Sequence, residues 1–140
     1  MSNSTPLTIA LVDDDSIFQL TASRMLRSTG EQPTILQFSN GEEALRYLLA
    51  NASQEGNLPD IILLDINRPY VDGWAFLNDY AELKKQLAKK IVIYMVSSSI
   101  DPSDMNRAKS NANVSDYLIK PILKEGYQKL LLSLGKQSTN

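Results

Sequence analysis

Residues 61–65 read Ile61-Ile62-Leu63-Leu64-Asp65, four bulky apolar side chains in a row closed by one carboxylate. Successive residues of a β-strand point to opposite faces, so a strand wetted on one side alternates apolar with polar. A short run without alternation predicts a strand covered on both faces, as in a parallel sheet. Working outward, similar runs occur at Ile9–Val12, Thr34–Phe38, Ile91–Val96 and Tyr117–Ile119. Together these are five strand candidates, rich in β-branched residues.

Helical patterns fill the gaps. After the first strand, Phe18, Ala22 and Met25 fall at i, i+4, i+7, and Gly30 is placed to end that helix. After the second, Ser39 and Glu42 form an expected capping box ahead of Ala44, Leu45, Leu48 and Leu49. A third helix is expected from near Gly73, burying Trp74, Leu77 and Ala81. The fourth begins with Asp101 as cap and Pro102 at its first position. The fifth follows Pro121 and buries Tyr127, Leu130, Leu131 and Leu134. Regular alternation of strand and helix predicts an α/β, flavodoxin-like doubly wound (βα)5 fold. Its parallel five-stranded sheet should have the order 2-1-3-4-5.

Composition narrows the chemistry. A chain of 140 residues, 43% hydrophobic, closes one core. Fourteen basic against sixteen acidic side chains leave a formal charge of -2, which gives no field for nucleic acid or anionic membrane and makes protein the expected partner. Without cysteine there are no disulfides or thiolate metal sites, and without histidine the commonest general base and zinc ligand are missing. Carboxylates, hydroxyls and lysine must do the work. Met1–Thr8 is polar and no stretch is long enough to span a membrane, so the expected location is the cytoplasm. Residues 1–7 and 135–140 read as flexible ends around a domain at 8–134, with a further loose loop at Ser53–Pro59.

In an open parallel sheet, ligands gather past the carboxyl ends of the strands. Asp13, Asp14 and Asp15 follow strand one, Asp65 ends strand three, Ser97, Ser98 and Ser99 follow strand four, and Lys120 follows strand five. The order 2-1-3-4-5 brings these four ends together. Carboxylates crowded in one cleft repel unless a cation lies among them, and oxygen-only donors suit Mg2+, which commonly shares its shell with a phosphoryl oxygen. A carboxylate can also attack phosphorus and hold the phosphoryl group as an acyl phosphate.

The motifs Val12-Asp13-Asp14, Leu64-Asp65 through Pro69 to Asp72-Gly73, Val96-Ser97-Ser98 and Tyr117 ahead of Lys120-Pro121 resemble the two-component response-regulator receiver domains, the chemotaxis-regulator-like group. The resemblance runs from about Leu7 to Leu134, and each motif falls at its own strand end. It implies that Asp65 accepts phosphate from a histidine kinase or histidine phosphotransfer protein. It implies that Asp14 and Asp65 bind Mg2+ through carboxylates, Asn67 through its backbone carbonyl and Asp13 through water. Lys120 would then pair with the phosphoryl group and Ser97 would hydrogen-bond to it. Tyr117 would rotate inward as Ser97 is drawn to the phosphate, altering the surface of the fourth helix, fifth strand and fifth helix. The Lys120-Pro121 bond is cis in the family. Arg68 departs from the methionine common there, and Asn67 and Ser99 occupy the variable positions that tune phosphoryl lifetime.

Blander readings compete for single residues. Asp15 reads as a helix cap, Ser99 or Asp101 as the cap of the fourth helix, and Asp72-Gly73 as turn chemistry. A haloacid-dehalogenase-type hydrolase needs a second Asp two positions after the nucleophile, where this chain has Asn67. A flavin carrier needs Ser, Thr and Gly donors after strand one, where Asp13–Asp15 would repel a phosphate. A phosphorylation-independent pseudo-receiver is the remaining alternative. With no output domain after the fifth helix, the expectation is a stand-alone receiver, a signalling domain rather than an enzyme. Its output would be contact with a downstream protein or a homodimer through the fourth helix, fifth strand and fifth helix.

Overall fold

The computed structural model describes residues 7–30, 32–65, 73–98 and 100–138. Strands β1 (Thr8–Val12), β2 (Thr34–Phe38), β3 (Ile61–Asp65), β4 (Val92–Ser97) and β5 (Asp116–Ile119) alternate with helices α1 (Ser16–Ser28), α2 (Gly41–Ala50), α3 (Gly73–Leu83), α4 (Pro102–Lys109) and α5 (Lys124–Ser138). All strand pairs are parallel and the order is β2-β1-β3-β4-β5, the expected doubly wound sheet. Among the described residues no helix is long and apolar enough to cross a membrane.

The unbroken apolar runs are explained by two cores. Ala10, Val12, Ile62 and Leu64 point to the face packed by Ala44, Leu48, Phe76 and Leu77 of α2 and α3. Their alternates Ile9, Leu11, Ile61 and Leu63 point to the face packed by Ala22 and Leu26 of α1 and Tyr127, Leu130 and Leu131 of α5. Each fully buried Leu or Ile contributes roughly 1.5–3 kcal/mol of transfer free energy, so sliding a strand by one residue would misplace every one of them. Burial also pushes the Tyr127 phenol up to about 12, keeping it protonated.

Helix boundaries follow local chemistry. Asp15 caps α1, its carboxylate accepting from the Ile17 and Phe18 amides, and Gly30 follows the helix with φ +89°, a conformation that costs glycine little. Asp101 caps α4 ahead of Pro102, as expected. The α2 cap differs by one residue: Asn40, not Ser39, accepts from the Glu43 amide at 2.9 Å, and Glu43, not Glu42, reaches back to the Ser39 amide at 2.8 Å. Gly41, the first residue of α2, lies close to α3: a Cβ there would be 3.2 Å from the Phe76 ring, so a larger residue would require that ring to shift. Glu42 is left to pair with Arg46 in solvent.

The buried stripes are also rotated from expectation in places. Leu49 is exposed, and α3 buries Phe76, Leu77, Tyr80 and Leu83 while Trp74 and Ala81 are half-buried. The burial of the Leu134 side chain is not among the described features, and α5 continues past Gly135 to Ser138. The loop expected to be loose before β3 holds a single 3-10 turn, Glu55–Asn57. There Asn57 donates to Asn51 and Gln54, and the Tyr47 hydroxyl donates to the Asn57 carbonyl at 2.7 Å.

Candidate functional site

Sheet register builds the site. Val12 pairs with Leu64, so the next residues, Asp13 and Asp65, emerge side by side; Asp65 pairs with Val96, one before Ser97; and Ser97 pairs with Ile119, one before Lys120. The Lys120 amide continues that ladder by donating to the Ser97 carbonyl at 2.8 Å, and the following Lys120-Pro121 peptide is cis.

Carboxylate oxygens of Asp13, Asp14 and Asp65 all lie within 4.8 Å of one another. Asp13 and Asp65 are buried, at 3% and 5% exposure, while Asp14 faces solvent. The Lys120 ammonium sits 2.8 Å from Asp13 Oδ2 and 3.9 Å from Asp65 Oδ2. Among the described residues, three carboxylates against one ammonium leave a formal excess of two negative charges, two of the carboxylates being largely out of water. Burying that excess is costly unless a cation shares it. The donor set, all hard oxygens with one side open, therefore fits a divalent ion such as Mg2+.

The remaining predicted residues fall as follows. Ser97 is fully buried at the end of β4. Tyr117 is 7% exposed, its ring already inward in the core beneath α4. Asn67, Arg68, Pro69, Asp72 and Ser99 lie outside the described residues. An open depression of about 480 Å³ flanks the carboxylates, bordered by Asp13, Asp14, Ser16 and Ser39. A slightly larger one lies at the opposite end of the sheet by Lys84 and Lys90, away from the carboxylates.

Two neighbours of the site escaped sequence reading. Phe18, read only as a core residue, supports Lys120, whose ammonium lies 4.5 Å from the ring centroid. Gln19 is buried beneath the acidic loop. Its signal was spacing: it lies three residues before Ala22 and seven before Leu26, on the stripe that α1 buries.

The sequence pattern of the response regulator receiver domain matches residues 9–131. The chain belongs to the response regulator receiver family. This receiver is 33% identical over 117 residues to the probable methanogenesis regulatory protein FilR2 of Methanothrix harundinacea, covering 84% of this chain and 74% of that one. It is 32% identical over 98 residues to the nitrate/nitrite response regulator NarL of Escherichia coli, covering 70% of this chain and 42% of NarL. A two-component response regulator from Cytophaga hutchinsonii superposes with a TM-score of 0.83 at 27% identity, covering 95% of this receiver and 99% of that chain. Receiver domains are signalling modules, and members of the family typically bind Mg2+.

Proposed function

We propose that this receiver works as a phosphorylation switch in the cytoplasm, with Asp65 as the acceptor, and signals by contact with other proteins. The observation that carries this reading is the juxtaposition of buried Asp65 with two further carboxylates within 4.8 Å and the Lys120 ammonium at 3.9 Å. In the proposed transfer, an Asp65 oxygen attacks the phosphorus of a phosphohistidine on a kinase or phosphotransfer protein. A P–O bond forms, the P–N bond breaks, and the released imidazole takes up a proton. Asp14 and Asp65 would hold Mg2+ with the Asn67 carbonyl, and Asp13 would reach it through water. When bound, the ion supplies charge neutralisation for the phosphoryl oxygens.

Lys120 then has two partners to choose between. Before transfer it is held by Asp13 at 2.8 Å; a phosphoryl group on Asp65 adds strong acceptor oxygens on its other side and draws the ammonium over. Ser97 donates its hydroxyl to the same group. Tyr117, on β5 beside the β4 strand that ends in Ser97, would couple that movement to the surface of α4, β5 and α5, where a downstream protein or a second copy would dock. This is a shift between two populations, biased by the phosphoryl group.

Beryllofluoride, which mimics a phosphoryl group on a carboxylate, tests the reading without a kinase. With Mg2+ it should raise the thermal midpoint of the wild type and leave Asp65→Asn unmoved, because only the former has a carboxylate to ligate beryllium. Equal midpoints with and without the mimic in the wild type would favour a pseudo-receiver instead.

A further inference from the structure

Asp13 is held at every polar atom. Its amide donates to the Phe38 carbonyl at 3.0 Å, its Oδ1 accepts from the Asp15 amide at 2.8 Å and its Oδ2 accepts from Lys120 at 2.8 Å. The remaining atom, its carbonyl oxygen, accepts from the Gln19 side-chain amide at 3.0 Å. The same Gln19 nitrogen lies 3.1 Å from the Leu11 carbonyl and 3.2 Å from the Phe38 carbonyl. Two amide hydrogens are thus shared among three carbonyls from the ends of two strands.

We infer that Gln19 is a positioning residue that sets the orientation of the Asp13-Asp14 peptide, and through it the divalent-cation affinity of the site. The peptide is planar, so fixing the direction of the Asp13 carbonyl also fixes where the Asp14 Cα lies. Asp14 is the exposed member of the carboxylate trio, and backbone orientation has the most to decide there. A second observation separates this role from plain packing. Gln19 Oε1 is buried with no hydrogen-bond partner among the described residues. An unpaired buried acceptor costs stability, so an apolar side chain would fill this spot more cheaply; what Gln19 supplies is the pair of donors.

The inference rests on the reading of the site as a Mg2+ site, and the test keeps the two apart. Mg2+ affinity is measured calorimetrically, and the rate of phosphorylation by acetyl phosphate is followed as a function of Mg2+. The proteins are the wild type, Gln19→Met, Gln19→Asn and, as a control one turn along the same buried face, Ser23→Ala. Gln19→Met keeps the side-chain length and removes the donors; it should weaken Mg2+ about tenfold, the usual effect of losing a group that orients a metal ligand. At saturating Mg2+ its phosphorylation rate should return to within about twofold of wild type, since the acceptor itself is untouched. Gln19→Asn, too short to reach all three carbonyls, should fall between, and it decides the matter if Gln19→Met does not fold. Ser23→Ala should bind Mg2+ as wild type does. Unchanged affinity in the folded Gln19 variants, or an equal loss in Ser23→Ala, overturns the positioning role alone. A wild type that binds no Mg2+ takes down the reading of the site and this inference with it.

Discussion

At the scale of single residues, the site trades stability for chemistry. Asp14 is exposed and joins two buried carboxylates that already have one lysine between them. Asp14→Asn should therefore stabilise the metal-free protein, by about 1 kcal/mol, the usual scale for relieving a functional strain. It should also abolish the stabilisation that Mg2+ gives the wild type. Denaturant unfolding with and without Mg2+ reads both effects; a destabilised Asp14→Asn, or one that Mg2+ still stabilises, would show that repulsion does not govern this cleft. The site was legible in sequence because strand ends carry their chemistry with them: Asp13, Asp14, Asp65, Ser97 and Lys120 each follow an apolar run, and the sheet order fixes their meeting. The Phe18–Lys120 contact was not legible, and Gln19 was legible only as a position on the buried stripe of α1, since its three carbonyl partners depend on how the helix lies against the sheet.

At the scale of elements, α4 stands apart. Ala108 is its one fully buried residue, and its ties to the rest include Arg107 stacked 4.1 Å over the Trp74 ring of α3. By contrast α1 buries Gln19, Ala22, Ser23 and Leu26. An element with so little buried apolar surface opens more readily than its neighbours, which suits one asked to change its surface. Amide hydrogen exchange should be faster across α4 than across α1, and Arg107→Ala should speed it further. Equal protection in the two helices would argue that α4 is as firmly seated as the core. The element scale is also where sequence reading slipped by small amounts. The capping box expected at Ser39 and Glu42 stands one residue further on, at Asn40 and Glu43, a shift within the usual uncertainty of a helix boundary. For α3, Trp74, Leu77 and Ala81 share a face as well as Phe76, Leu77, Tyr80 and Leu83 do; tertiary packing decided which face went inward.

At the scale of the whole molecule, the fold follows from uninterrupted apolar strands that need cover on both faces, and the function from the one sheet edge those strands share. The proposed role of Asp65 as phosphoryl acceptor is supported by the family assignment and by the carboxylates and lysine gathered around it. The direct measurement is intact mass after incubation with acetyl phosphate and Mg2+. The wild type should gain the mass of a single phosphoryl group, the gain should disappear when Mg2+ is chelated beforehand, and Asp65→Asn should gain nothing. A wild type that keeps its original mass, or an Asp65→Asn protein that is phosphorylated as readily as the wild type, would contradict that role.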